Sequence, residues 1–161
     1  MLLLTGEFDL TLDDKHRLAL PVKVREELAR NEMDGVFYLM LGTNRVIHLF
    51  PEKVYQQIAL VVAPRKAAPD ELLTQDRVNF SLANRVELDR QGRLLVGERT
   101  VRRAGLDQQV VMIGTRDHLE LWEPQRWERY LGEHFGAHEN ALLSAREEVL
   151  AQQHDRSQAG S

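Results

Sequence analysis

The sequence predicts a mainly β fold with flanking helices: two copies of one strand, turn, strand and helix unit, packed about a pseudo-twofold axis into a β-barrel or sandwich, with helices at the C terminus. Three observations predict it. A D-x-x-x-R pattern followed by an apolar run occurs at residues 13–20 and again at 89–96, and the offset from Asp13 to Asp89 equals that from Arg17 to Arg93. A second match follows at a slightly smaller offset, with Gly42-Thr43 leading to residues 46–50 and Gly114-Thr115 leading to residues 118–122. Each of these is succeeded by a proline and an amphipathic run, Pro51 before Val54, Ile58 and Val61, and Pro124 before Trp127, Leu131 and Phe135. Helical spacing with proline at the first turn predicts two helices in equivalent places.

The elements follow in order. Phe8, Leu10 and Leu12 alternate with Asp9 and Thr11, the period of a half-buried strand. A turn at 13–16 returns the chain through 17–20, where Leu18 and Leu20 face inward and Arg17 faces out beside the turn. Pro21 opens a short helix over 22–30. Residues 63–70, with Pro64 and Pro69, read as a linker, and residues 71–80 as a joining helix. The second copy repeats the pattern: Val86 and Leu88 alternate with Arg85 and Glu87, a turn occupies 89–92, and Leu94 and Val96 face inward while Arg93 faces out. A helix over 98–104 stops at Gly105. Residues 141–153 read as helix and 155–161, small and polar, as a disordered tail. The expected organisation is therefore a first repeat over 1–62, linker and joining helix over 63–82, a second repeat over 83–135, and a C-terminal helix and tail over 136–161. Half of such a sheet cannot bury its own apolar face, which is why the two copies must pack together.

Composition narrows the function. With 161 residues and 43% apolar content the chain can build a core without staples. It has no cysteine, which excludes disulfides, Cys-ligated zinc and iron–sulfur clusters. No apolar run is long enough for a membrane span, and Met1 to Leu4 lead directly into Gly6, Glu7 and Asp9, so a cytosolic protein is expected. The net charge of −4 opposes phosphate binding unless basic residues are gathered locally.

The paired D-x-x-x-R hairpins, with G-L-D-Q-Q-V-V-M-I-G at 105–114 and L-E-L-W at 119–122 after the second, closely resemble the MraZ family over residues 8–135. The resemblance implies a duplicated fold similar to the swapped hairpins of AbrB and MazE regulators, association into a ring-shaped homo-oligomer, and binding of double-stranded DNA at repeated operator sites upstream of the division and cell-wall gene cluster. It implies a repressor acting in the cytoplasm at the nucleoid, without membrane, small-molecule substrate or cofactor. Carried over by position, Asp13 and Arg17 fall on the family's first motif, with Lys15 as its basic turn residue, and Asp89 and Arg93 fall on the second. The chain departs from the family by carrying His16 where Gly usually precedes the first Arg, and Gln91 where Lys15 has its counterpart, beside Arg90.

The chemistry suits that reading. A two-stranded ribbon fits the major groove, and an Arg beside its tip can grip guanine O6 and N7 or a phosphate. Asp13 and Asp89 would support the motif by accepting turn N–H groups and holding Arg17 and Arg93. The blander reading is a hairpin closed by an exposed ion pair, worth about 0 to 1 kcal/mol; two copies at matched places, with the family likeness, favour DNA contact by Arg17 and then Arg93, while Lys15 is the weaker candidate because an exposed turn lysine is commonplace. Trp122, Trp127, Tyr130 and Phe135 offer a subunit interface, although their spacing favours core packing for most of them. No enzyme is expected. His134 and His138 stand four apart, but Glu133 precedes the first and Gly136 lies between, unlike the zinc-protease pattern. His16, His48, His118 and His154 are scattered, and Asp13-Asp14 and Glu147-Glu148 read as turn or solvated-face residues, so no catalytic or metal site is assigned. The competing function is an antitoxin-like module of the AbrB and MazE type that binds a protein through residues from about His138 onward.

Overall fold

A computed structural model describes residues 1–61 and 68–159. In chain order the elements are β1 (Glu7–Thr11), β2 (Arg17–Ala19), α1 (Val22–Arg30), β3 (Val36–Leu41), β4 (Ile47–Pro51), α2 (Glu52–Ala59), α3 (Pro69–Ser81), β5 (Asn84–Glu87), β6 (Arg93–Leu95), α4 (Glu98–Ala104), β7 (Gln109–Gly114), β8 (Leu119–Trp122) and α5 (Pro124–Ala159). The order strand, strand, helix, strand, strand, helix thus runs twice, with α3 between the runs.

Six strands form one antiparallel sheet in the order β1-β7-β8-β4-β3-β5, and β2 and β6 form a separate antiparallel ribbon. The barrel expected from the sequence is not formed. The sheet is open, because its outer strands β1 and β5 pair on one side only among the described residues. Each outer strand instead turns into one strand of the ribbon, so its inner face is covered without the edges meeting. Alternation in the sequence marks which face of a strand is buried, but not whether the sheet closes.

The two runs are interleaved. β1 of the first pairs with β7 of the second, β3 of the first pairs with β5 of the second, and β4 and β8 meet at the middle of the sheet. In the ribbon Leu18 pairs with Leu94, and in the sheet His48 pairs with Glu120. Both are pairs of matched positions, so the pseudo-twofold relation passes through them. Leu18, Phe37, Leu39, Ile47, Leu49, Leu94, Met112, Leu119 and Leu121 fill one continuous core between ribbon, sheet and helices. Helix α1 contributes Val24 and Leu28, one turn apart, and α4 contributes Val101 and Ala104.

Several elements differ in detail from expectation. Helix α3 begins at Pro69, inside the expected linker, since proline is preorganised for a first turn and Glu71 accepts the Ala68 N–H at 3.4 Å. Most of that linker lies outside the described residues. Helix α2 ends at Ala59, and its buried residue is Tyr55, stacked on Tyr38 at 4.3 Å, while Val61 lies beyond the helix. The C-terminal helix continues through Asp155 to Ala159, where a disordered tail was expected; Ser157 donates to the Gln153 carbonyl one turn back, and His154 contacts Gln158 at 2.9 Å. Of the four aromatic residues, Trp122 is buried whereas Tyr130 and Phe135 are exposed. The chain divides into two compact units, Met1–Pro124 and Gln125–Ser161. No helix among the described residues is long and apolar enough to cross a membrane.

Candidate nucleic-acid interface

The two D-x-x-x-R turns stand at opposite ends of the β2/β6 ribbon, and each is built by its aspartate. Asp13 accepts the N–H groups of Lys15 and Arg17 on Oδ1, both at 2.9 Å, and the Arg17 Nε–H on Oδ2 at 2.7 Å. Asp89 repeats this arrangement, accepting from Gln91 N at 2.8 Å, Arg93 N at 3.0 Å and Arg93 Nε at 2.9 Å. The backbone closes both turns alike: His16 N–H donates to the Asp13 carbonyl at 2.9 Å and Gly92 N–H to the Asp89 carbonyl at 3.0 Å. Each turn is also tied to the end of the other run's ribbon strand, since Leu20 donates to the Gly92 carbonyl and Val96 to that of His16, both at 2.9 Å.

This geometry requires a left-handed residue before each arginine. Gly92 adopts φ 74°, and His16 adopts φ 58°, a conformation that costs a residue with a Cβ about 1–2 kcal/mol. The substitution of His for Gly therefore leaves the first turn in the same fold as the second. The N–H donors and neighbouring guanidinium hold both carboxyls below the ordinary aspartate range, the Arg17 backbone N–H acting most strongly on Asp13 and the Arg93 backbone N–H on Asp89.

Alternation along the ribbon sends Leu18 and Leu94 into the core and places Arg17, Ala19, Arg93 and Leu95 on the outer face. Arg93 also reaches Asp13 Oδ2 at 3.9 Å, so the two arginines form one connected group. Their side chains are about one-third exposed, at 30% for Arg17 and 28% for Arg93. Each aspartate holds its arginine by Nε–H, and the four Nη N–H donors of the guanidinium lie outside that bond. Lys15 is exposed at the tip of the first turn and Arg90 at the tip of the second. Of the five residues singled out in the sequence, Arg17 and Arg93 thus open the two strands of one ribbon, and Asp13, Lys15 and Asp89 lie in the turns that lead into it.

Two features escaped the sequence. Arg25, on α1 of the first run, packs over Gly92 of the second, where an added Cβ would meet its Nη1 at 3.1 Å. No motif marks that contact, because it depends on the interleaving of the two runs. His48 and His118, scattered in sequence, meet at 3.1 Å across the β4/β8 ladder.

The family described as "MraZ protein, putative antitoxin-like" matches residues 80–146, which contain the second hairpin and β5 to β8. A protein of Saccharopolyspora erythraea named Transcriptional regulator MraZ is 36% identical over 139 residues, covering 86% of this chain and 91% of its own. The chain belongs to the MraZ family. Proteins of the same name from Roseiflexus castenholzii, 36% identical over 126 residues, and Methylococcus capsulatus, 34% identical over 124 residues, cover 78% and 77% of this chain. The shares of those relatives' own lengths are 85% and 81%. The 139 residues matched by the Saccharopolyspora erythraea protein reach beyond 80–146 into the first run.

Proposed function

We propose that this chain is a sequence-specific DNA-binding transcriptional regulator, a repressor of its own division and cell-wall gene cluster, which reads operator DNA with the outer face of the β2/β6 ribbon. The observation that carries this reading is the pair of carboxylate-held arginines, Arg17 and Arg93, on one exposed face. A guanidinium fixed before binding loses little freedom on contacting guanine or phosphate, and the ribbon is narrow enough for the major groove. Lys15 adds a charge at the first tip. The relatives' name, transcriptional regulator, supports the same role.

The interleaved runs are read as the duplicated swapped-hairpin fold of AbrB-like regulators, with repeats over 1–62 and 83–135 joined by 63–82 and followed by 136–161. Because the net charge is −4, affinity comes from multiplicity: a ring of copies presents many ribbons to successive operator repeats. The protein then works in the cytoplasm at the nucleoid, as a non-enzymatic binder without a cofactor or small-molecule substrate. The second reading, an antitoxin-like module, draws on the family's description and on the exposed Leu142, Leu143, Val149 and Leu150 of α5, which suit a protein partner. Copurification of a protein lost on truncation at His138 is the result that reading predicts.

Fluorescence anisotropy against the chain's own upstream DNA, compared with scrambled DNA over a series of salt concentrations, tests the proposal. Tighter binding to the upstream sequence, weakening steeply with salt, is the expected result. Equal affinity for both DNAs would remove the operator from the account.

A further inference from the structure

At the middle of the six-stranded sheet, on the face opposite the core, three donor atoms from β4, from β8 and from the bend just before β8 converge. The ladder pairs His48 with Glu120, and His118 lies two residues before Glu120, so the three side chains emerge together. His48 Nδ1 lies 3.1 Å from His118 Nε2 and 3.5 Å from Glu120 Oε1, and His118 Nε2 lies 3.4 Å from the same Oε1. An ion bonded to three such ligands at about 2.0–2.1 Å with tetrahedral angles needs them about 3.3 Å apart.

The surroundings orient each donor toward the common point. Asp117 Oδ1 lies 2.8 Å from His118 Nδ1, which fixes the proton on that nitrogen and directs the Nε2 lone pair inward, the carboxylate–histidine arrangement found behind metal ligands. Trp122 donates its indole N–H to Glu120 Oε2 at 2.8 Å, leaving Oε1 for the cluster. His48 lies over Gly42, where even a methyl group would fall 2.3 Å from Nε2, so the absence of a side chain at 42 is what admits the ring. Phe50 stacks on His118 at 4.4 Å and closes one side. The three ligand side chains are only 15–20% exposed.

We propose that His48, His118 and Glu120 form a binding site for a divalent transition ion, Zn²⁺ by preference, with a fourth position open to water. Two imidazoles and one carboxylate suit zinc and its neighbours and disfavour Mg²⁺ and Ca²⁺, which take oxygen ligands. The ligands come from both runs, so the ion staples β4 to β8 on the pseudo-twofold relation and stabilises the interleaved sheet.

The test uses the untagged full-length protein stripped of metal, titrated with Zn²⁺ in competition with a chromophoric chelator, with thermal unfolding followed in parallel. One Zn²⁺ per chain and a raised Tm are expected. Glu120→Gln, which keeps the shape and the Trp122 partner, and His118→Ala should each abolish the tight site, with circular dichroism of the metal-free variants reporting their fold. Asp117→Asn should weaken binding about 10- to 100-fold. His134→Ala with His138→Ala on α5 should leave affinity unchanged. Absence of saturable binding, retention of it in folded Glu120→Gln, or its loss in the α5 double variant would overturn the assignment.

Discussion

At the scale of single residues, Asp13 and Asp89 carry the hairpins through ionised carboxylates, each accepting two backbone N–H groups and one guanidinium Nε–H. Both have a folded-state pKa below the ordinary value, so their contribution to stability is complete above the unfolded pKa and is lost as pH falls through the folded one. Urea unfolding should accordingly show stability falling below about pH 4, with a shallower fall in an Asp13→Asn, Asp89→Asn double variant; identical slopes would mean that other carboxylates set the acid limit. The residues before the arginines give a second prediction. Gly92→Ala should cost about 1–2 kcal/mol, because φ 74° strains a Cβ that would also press on Arg25. His16→Gly should change stability by less than about 1 kcal/mol, since relief at φ 58° is offset by the freer unfolded chain. Thermal unfolding of the two variants distinguishes these outcomes, and a neutral Gly92→Ala would contradict the turn geometry.

The elements show where sequence reading succeeds and where it stops. Leu18 and Leu94, fully buried and paired across the ribbon, were legible from alternation alone, as were Leu20 and Val96. Truncating Leu94 to Ala should cost about 2–5 kcal/mol of stability by denaturant titration, and a loss under about 1 kcal/mol would mean that the ribbon is not part of the core. The hairpins, the helices Val22–Arg30 and Glu98–Ala104, and the matched order of the two runs were legible too, because each rests on local spacing and turn chemistry. Strand partners were not. An alternating strand specifies a buried face but leaves its neighbour open, and β1 finds β7 more than a hundred residues away, as Glu7 with Ile113. For the same reason the open sheet, the Arg25–Gly92 contact and the meeting of His48 with His118 and Glu120 depend on registers that no local pattern announces. The far end of α5 was missed differently: residues 155–159 are mostly polar, a composition that marks an exposed helix as readily as a tail.

At the scale of the whole molecule, an acidic chain that binds DNA must concentrate its cations and multiply its contacts. Sedimentation velocity of the full chain should therefore give a species of several protomers, and a monomer at micromolar concentration would remove the ring from the account. The most direct test of the central claim is the affinity of Arg17→Ala and Arg93→Ala for the upstream DNA, measured by anisotropy beside the parent chain with thermal unfolding as the control for fold. The ribbon account predicts that each variant loses about 5- to 150-fold in affinity, the worth of one bidentate arginine contact, and that the loss is smaller against scrambled DNA. Unchanged affinity in both folded variants would contradict it.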